Sequence, residues 1–375
     1  AMLPLVIPSF VGAYLFYSAF GPKGILQQFV GSFLGIDAIP DIHGLFGATL
    51  VLSLLSYPYL FLTVRAAMAD IDWSTEETAR NLGHGSFSTF MRVTLPQLRS
   101  SIIAGALLVS LYTLSDFGAV SLMRYNTFTW TIFQQYQSIV DRSVIAVISL
   151  ALVSLAILVI IVQHRVRGTQ KSYRIGRGAS RKGGIVGLGA WKIPVIMLFL
   201  GVVTVALVLP MSILAFWLFR GIFAGEPISL LWGATFNSLS VSVISAFVTT
   251  MMSIFMALVL VRHPTFLNRF LEPISFIGYA LPGVVVAISL VFFAVHYTVS
   301  LYQTLPLLII AYVILFFPVA LGSTRSALQQ ININIDESAR DLGHSYLGTV
   351  LKVTIPIMKS GLLMGVAMTF LLTMK

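Results

Sequence analysis

Cysteine is absent from this sequence and charge is scarce: 23 basic and 13 acidic side chains are spread over 375 residues. Without thiols there is no disulfide, no thiolate zinc site and no cysteine nucleophile. The six histidines, His43, His84, His164, His263, His296 and His344, form no pair at metal-ligand spacing. Paired catalytic carboxylates, a phosphate-cradling glycine loop and a nucleophile elbow are likewise missing. The sequence therefore predicts no catalytic residue, no metal site, no resident cofactor and no ATP hydrolysis by this chain.

What is present is apolar. Hydrophobic residues make up 57% of the chain and charged ones 10%, with a mean hydropathy of +0.93, whereas about a quarter of a soluble domain is charged. The expected fold class is all-α and polytopic, with the lipid bilayer as a partner. A net charge of +10 would suit nucleic acid, but in a membrane protein a basic excess reads through topology, so no nucleic-acid partner is expected. Nine runs approach spanning length, about 20 residues each: Ala1 to Phe20, Leu45 to Met68, Ser101 to Ser121, Ser143 to Gln163, Ile193 to Phe219, Asn237 to Val261, Pro273 to Val295, Leu305 to Ser323, and one from Gly361. Between Gln163 and Ala190 lie Arg165, Arg167, Lys171, Arg174, Arg177, Arg181 and Lys182 with glycines and no acid, a composition suited to a solvated linker. The expected division is a first half, 1–163, a basic linker, 164–190, and a second half, 191–375. The chain shows no cleavable signal peptide, and because it begins and ends inside apolar runs it reads as lacking both termini. Prolines at 8, 58, 210, 282 and 318 fall inside the runs and are expected to mark kinks.

One polar pattern occurs twice. Glu77, Thr78, Ala79, Arg80, Asn81, Leu82 and Gly83 are followed, nine residues on, by Val93, Thr94, Leu95 and Pro96. At 260 positions further stand Glu337, Ser338, Ala339, Arg340, Asp341, Leu342 and Gly343, then Val353, Thr354, Ile355 and Pro356. The register extends to Pro58 with Pro318, Arg65 with Arg325 and Arg92 with Lys352, so the chain is an internal repeat. Each copy reads as a knuckle of two short helices between spans. Ser74 and Asn334 are expected N-caps with Glu77 and Glu337 completing capping boxes. Gly83 and Gly343 are expected C′ residues with positive φ, and Pro96 and Pro356 open the next helix.

The glutamate, small residue, alanine, glycine and distal proline at this spacing resemble the EAA loop of binding-protein-dependent ABC importer permeases, with Thr78 and Ser338 where that family often has alanine. The resemblance implies two tandem repeats of the type I importer permease fold, twelve spans in a complete chain, and a bacterial inner-membrane location. It implies that an ATPase subunit dimer docks on the knuckles and that a periplasmic binding protein delivers the cargo. Glu77, Ala79, Arg80, Gly83, Glu337, Ala339, Arg340 and Gly343 are then the ATPase-coupling residues. Glu77 shares a helix face with Arg80, as Glu337 does with Arg340, while Ala79 and Ala339 allow close approach. With both knuckles and the linker in the cytoplasm, 18 of the 23 basic residues lie inside, as the positive-inside rule requires.

Asp116 is the one acid close to an apolar span, and it either faces a cavity or partner at membrane depth or is an interfacial carboxylate in water or beside Arg124. The run from Tyr112 to Asn126 that contains it resembles the fused, two-half ferric iron permeases, which implies ferric iron as cargo. Tyr112, Ser115 and Asp116 are the expected translocation-path residues, on a span leaving a knuckle. Thiamine or another small solute is the alternative cargo. A secondary transporter would need intramembrane ion ligands, which the acid-poor spans lack apart from Asp116, and a passive scaffold would leave the doubled knuckle unexplained.

Overall fold

A computed structural model describes all residues except 1, 23, 26–41, 72–73, 139–141, 169–188, 227–228, 263–265, 267 and 280. Most of the basic linker thus lies outside the described residues. The chain packs as two units, Ala1–Phe223 and Ala224–Lys375.

In the first unit, α1 (Ser9–Phe20), α2 (Leu45–Asp70), α3 (Ser74–Asn81) and α4 (Ser86–Thr89) are followed by a π-helical segment (Phe90–Thr94) and α5 (Leu95–Ser115). Then come α6 (Gly118–Leu122), α7 (Phe128–Ser138) and α8 (Arg142–Gly168). After the linker, α9 (Lys192–Val203), a second π segment (Thr204–Val208) and α10 (Leu209–Phe223) complete the unit. Phe16, Val51, Leu55, Val120 and Met123 pack the core of α1, α2 and α6. Ile213 of α10 is buried against Leu15 and Ala19, and the Trp217 indole N–H donates to the Ser18 hydroxyl at 2.9 Å.

The second unit holds α11 (Ser229–Arg262), α12 (Asn268–Ser275), α13 (Gly283–Tyr297) and α14 (Leu305–Gln329). Its knuckle is α15 (Ile333–Asp341), α16 (Tyr346–Thr349) and a third π segment (Val350–Thr354), continued by α17 (Ile355–Ile357) and α18 (Lys359–Met374). Leu258, Leu321, Leu328 and Met358 form its apolar core. Where α11 meets α14, buried Ser253 and Thr324 share a 2.8 Å hydrogen bond. Small hydroxyl residues let helices approach closely in lipid, where hydrophobicity between helices supplies no drive.

The protein is all-helical and crosses the membrane several times. All nine apolar runs contain helices, but they are not nine equal spans. Among the described residues six helices are long and apolar enough to cross, and a further pair, bent by 74° between Ile357 and Lys359, passes the same test only if it is taken as one span. In the runs at Ala1 to Phe20 and Pro273 to Val295 the longest helices are α1, 12 residues, and α13, 15 residues. At 1.5 Å per residue these are about 18 and 23 Å long, short of a hydrocarbon core of about 30 Å. The cause corrects the expectation for two prolines: Pro8 and Pro282 are N-caps that start these helices, not kinks within them. Pro58 and Pro318 do lie inside α2 and α14.

Two further boundaries move. Helix α8 runs on to Gly168, so Arg165 belongs to a helix and not to the linker. Ser74 is the first helical residue of α3, and in the second copy the N-cap is Asn332, whose side chain accepts the Asn334 N–H at 3.1 Å. The capping box placed at Asn334 is therefore two residues late in the second copy.

Candidate functional site

Each knuckle turns on a glycine. Gly83 has φ +90° and Gly343 φ +88°. The His84 N–H donates to Ala79 and the Gly83 N–H to Arg80, and His344 and Gly343 donate likewise to Ala339 and Arg340, at 2.9–3.2 Å. These paired bonds are a Schellman motif, which satisfies the last carbonyls of α3 and α15 and reverses the chain. His84 and His344 thus serve the helix ends through their backbone.

The helix after the turn flows into the following span without a break at the proline. Pro96 and Pro356 sit in the first turn of α5 and α17. A proline collides with the carbonyl four residues back and lacks the N–H for it. The π segments before it relieve this: the Leu95 N–H reaches back five residues to Phe90, and that of Ile355 to Val350. A knuckle and its outgoing span are consequently one continuous lever in the first copy.

The inner and outer faces of α3 and α15 divide the expected coupling residues. Ala79 and Ala339 are buried, so the close approach they permit is to their own knuckle. Glu77, Arg80, Glu337 and Arg340 are exposed. Arg80 lies 3.8 Å from Glu76, one turn back, rather than pairing with Glu77. Beside each charged face stand apolar side chains that the sequence reading passed over: Leu82 and Leu342 are 76% and 82% exposed, Phe87 and Leu347 75% and 67%. These occupy matching repeat positions, which is the signal that would have found them. Leucine and phenylalanine are thus exposed on an otherwise polar knuckle.

Sequence reading also missed Glu76 and Asp336. Both point inward, where the Thr94 hydroxyl donates to Glu76 and the Thr354 hydroxyl to Asp336. In the second copy the Asp336 carboxylate also meets the Arg262 guanidinium of α11 at 2.8 Å. An open cavity of about 100 Å³ adjoins this cluster, lined by Arg262, Asp336, Glu337, Arg340, Tyr346 and Thr349.

Tyr112, Ser115 and Asp116 stand at the other end of α5. Asp116 is 7% exposed and ends α5. Its Oδ1 accepts the Ala119 N–H at 2.9 Å, which satisfies a first-turn donor of α6, and its carbonyl accepts the Thr129 hydroxyl of α7 at 2.7 Å. Phe117, Trp130 and Phe133 stack over this break. The Ser115 hydroxyl bonds back to the Leu111 and Tyr112 carbonyls, and the Tyr112 ring packs on Tyr59 with centroids 5.5 Å apart. Among the described residues, no group of three or more histidine, aspartate or glutamate side chains is placed to hold a metal ion.

Residues 1–170 and 249–375 match the family described as the binding-protein-dependent transport system inner membrane component, and each matched segment carries one knuckle. The Fe(3+)-transport system permease protein FbpB 2 of Haemophilus influenzae is 30% identical over 369 residues, 98% of this chain and 73% of that protein. The ferric transport system permease protein FbpB of Actinobacillus pleuropneumoniae is 24% identical over 398 residues, 100% of this chain but 57% of that protein. The molybdenum transport system permease protein ModB of Escherichia coli is 32% identical over 31% of this chain.

Proposed function

Because this chain belongs to the family of binding-protein-dependent transport system inner membrane components, we propose that it is the permease subunit of an ABC importer for ferric iron. It is a multi-pass inner-membrane transport subunit. ATP is bound and hydrolysed by a separate ATPase dimer, and a periplasmic binding protein delivers the iron. The ferric assignment follows from relatives whose names carry it and that align with 98% and 100% of this chain. The molybdenum relative aligns with 31% of it.

The observation that carries the coupling role is the knuckle itself, built twice with the same turn, exposed charges and exposed apolar pair. The ATPase dimer receives Glu77, Arg80, Leu82 and Phe87 on one side and Glu337, Arg340, Leu342 and Leu347 on the other, with Gly83 and Gly343 holding each turn. ATP binding closes the dimer, the knuckles move with it, and the outgoing spans carry the motion to the cargo path.

Tyr112, Ser115 and Asp116 border that path at the far end of α5. A ferric ion there meets exchangeable oxygen ligands rather than a histidine or cysteine cluster, which suits passage over storage. The test is uptake of radioactive iron by proteoliposomes containing the full-length protein, its ATPase and its loaded binding protein. ATP-dependent uptake is expected, abolished in the Gly83→Val, Gly343→Val double variant. Normal uptake by that variant would overturn the coupling role, and a binding protein that prefers thiamine would overturn the cargo.

A further inference from the structure

The acid just before Glu77 and Glu337 in each knuckle, Glu76 or Asp336, turns inward, although Glu76 also lies 3.8 Å from Arg80. Glu76 is 8% exposed, and the threonine that bonds it, Thr94, is 3% exposed. Asp336 and Thr354 repeat the pair at 2.9 Å, and in both copies acid and hydroxyl are 18 residues apart. Thr94 and Thr354 are the last residues of their π segments, immediately before α5 and α17. Each bond therefore fastens the helix that precedes the Schellman turn to the base of the outgoing span, across the turn.

We propose that Glu76–Thr94 and Asp336–Thr354 are latches that make each knuckle move as one body with its span, and that Glu76 and Asp336 are positioning residues for transport. The second latch reaches further. Arg262, at the end of α11, meets the Asp336 carboxylate at 2.8 Å and donates to the Ile331 carbonyl at 3.2 Å. Asp336 thereby joins three elements, α15, the base of the outgoing segment and α11, so a displacement of α15 is imposed on the membrane helix α11 and on α17, from which α18 departs after a 74° bend. Carboxylate bonds of this kind are charge-assisted and partly screened from water, which makes them stiff as well as strong. A knuckle without its latch would still present Glu337, Arg340 and Leu342 outward, since these are held by α15 and its turn. Docking would persist while the span no longer follows.

This rests on the coupling reading, and the experiment separates the two. The full transporter, reconstituted with its ATPase and binding protein, is compared as wild type, as Thr94→Val with Thr354→Val, and as the same pair changed to serine. Valine keeps the volume and removes the hydroxyl, whereas serine keeps the hydroxyl. Iron transported per ATP hydrolysed is expected to fall about tenfold in the valine pair, the scale of one lost charge-assisted hydrogen bond, and to stay within about twofold of wild type in the serine pair. The ATPase should co-purify with both. Asp336→Asn and Arg262→Gln should lower the ratio singly and, because they break one network, hardly further together. If the valine pair keeps transport per ATP within about twofold of wild type while Gly83→Val with Gly343→Val is uncoupled, the latch is wrong and the coupling reading stands. If the glycine pair is also fully coupled, both fall. A valine pair that only lowers yield and Tm, with the ratio unchanged, would reduce the threonines to fold stabilisers and likewise overturn the proposal.

Discussion

At the scale of residues, glycines that look alike in the sequence do different work. A Cβ added at Gly83 or Gly343 meets nothing within 4 Å, so only the positive φ demands glycine there. Gly83→Ala and Gly343→Ala are expected to cost about 1–2 kcal/mol each, read as a lower Tm in detergent. At Gly365 a Cβ would stand 2.7 Å from the Ser323 hydroxyl, and at the matching Gly105 it would collide with Thr63 and Leu60. Gly105→Leu should therefore push α5 off α2 and cost about 3 kcal/mol or more, by overpacking rather than backbone strain. A milder loss at Gly105→Leu than at Gly83→Ala would contradict this assignment. The turn glycines were legible because a repeated motif placed them at a helix end. The crossing glycines were not, since nothing local to Gly105 names the helix it meets.

Asp116 shows the same division. The sequence left it as a cavity-facing acid or a surface one, and the structure adds that it caps α6. Asparagine keeps the accepting oxygen, so Asp116→Asn should retain the Tm, while Asp116→Ala should lose about 1 kcal/mol with the cap. If Asp116→Asn transports iron at the wild-type rate, the carboxylate serves the fold alone and not the path.

At the scale of elements, the unreadable feature was the π turn. All three π segments, Phe90–Thr94, Thr204–Val208 and Val350–Thr354, end two residues before a proline, Pro96, Pro210 and Pro356. Leu209, like Leu95 and Ile355, sends its N–H back five residues, in its case to Thr204. Hydropathy windows read such a stretch as one uninterrupted helix, because the extra residue changes backbone bonding and not composition. The same blindness made α1 and α13 look full length: the windows counted apolar residues upstream of Pro8 and Pro282 that belong to no helix of that span. Pro210 lies away from both knuckles, so Pro210→Ala tests the cause of the π turn alone. If the proline imposes it, alanine restores ordinary helical bonding and Tm is unchanged or higher. A fall of several degrees would mean that packing of α9 and α10 requires the wide turn whatever residue follows it.

At the scale of the whole molecule, the sequence divided the chain at its polar linker, and packing assigns α9 and α10 to the first unit. A helix whose large side chains are mostly exposed to lipid carries no periodic mark of the neighbour it chooses, so that partnership could not be read beforehand. Orientation is an expectation the sequence does carry, because basic residues are distributed by side rather than by contact. Helix α14 runs unbroken from Leu305 to Gln329, about 38 Å at 1.5 Å per residue, with Gln303 just before it and the second knuckle just beyond. In the first unit α5 likewise leads from the knuckle toward Asn126. In each unit the knuckle and the outer loop thus lie at opposite ends, and because an arrangement with both knuckles and the linker inside leaves 18 of 23 basic residues in the cytoplasm, the knuckles are expected to be cytoplasmic. The absence of cysteine makes this simple to test, since a thiol introduced into this stretch has no native rival within it. Asn81→Cys and Asp341→Cys should resist a membrane-impermeant maleimide added to intact cells and react once the membrane is opened. Asn126→Cys and Gln303→Cys should react from outside at once. Labelling of Asn81→Cys and Asp341→Cys from outside would invert the topology, remove the knuckles from any cytoplasmic ATPase, and take the coupling mechanism and its latch down with it.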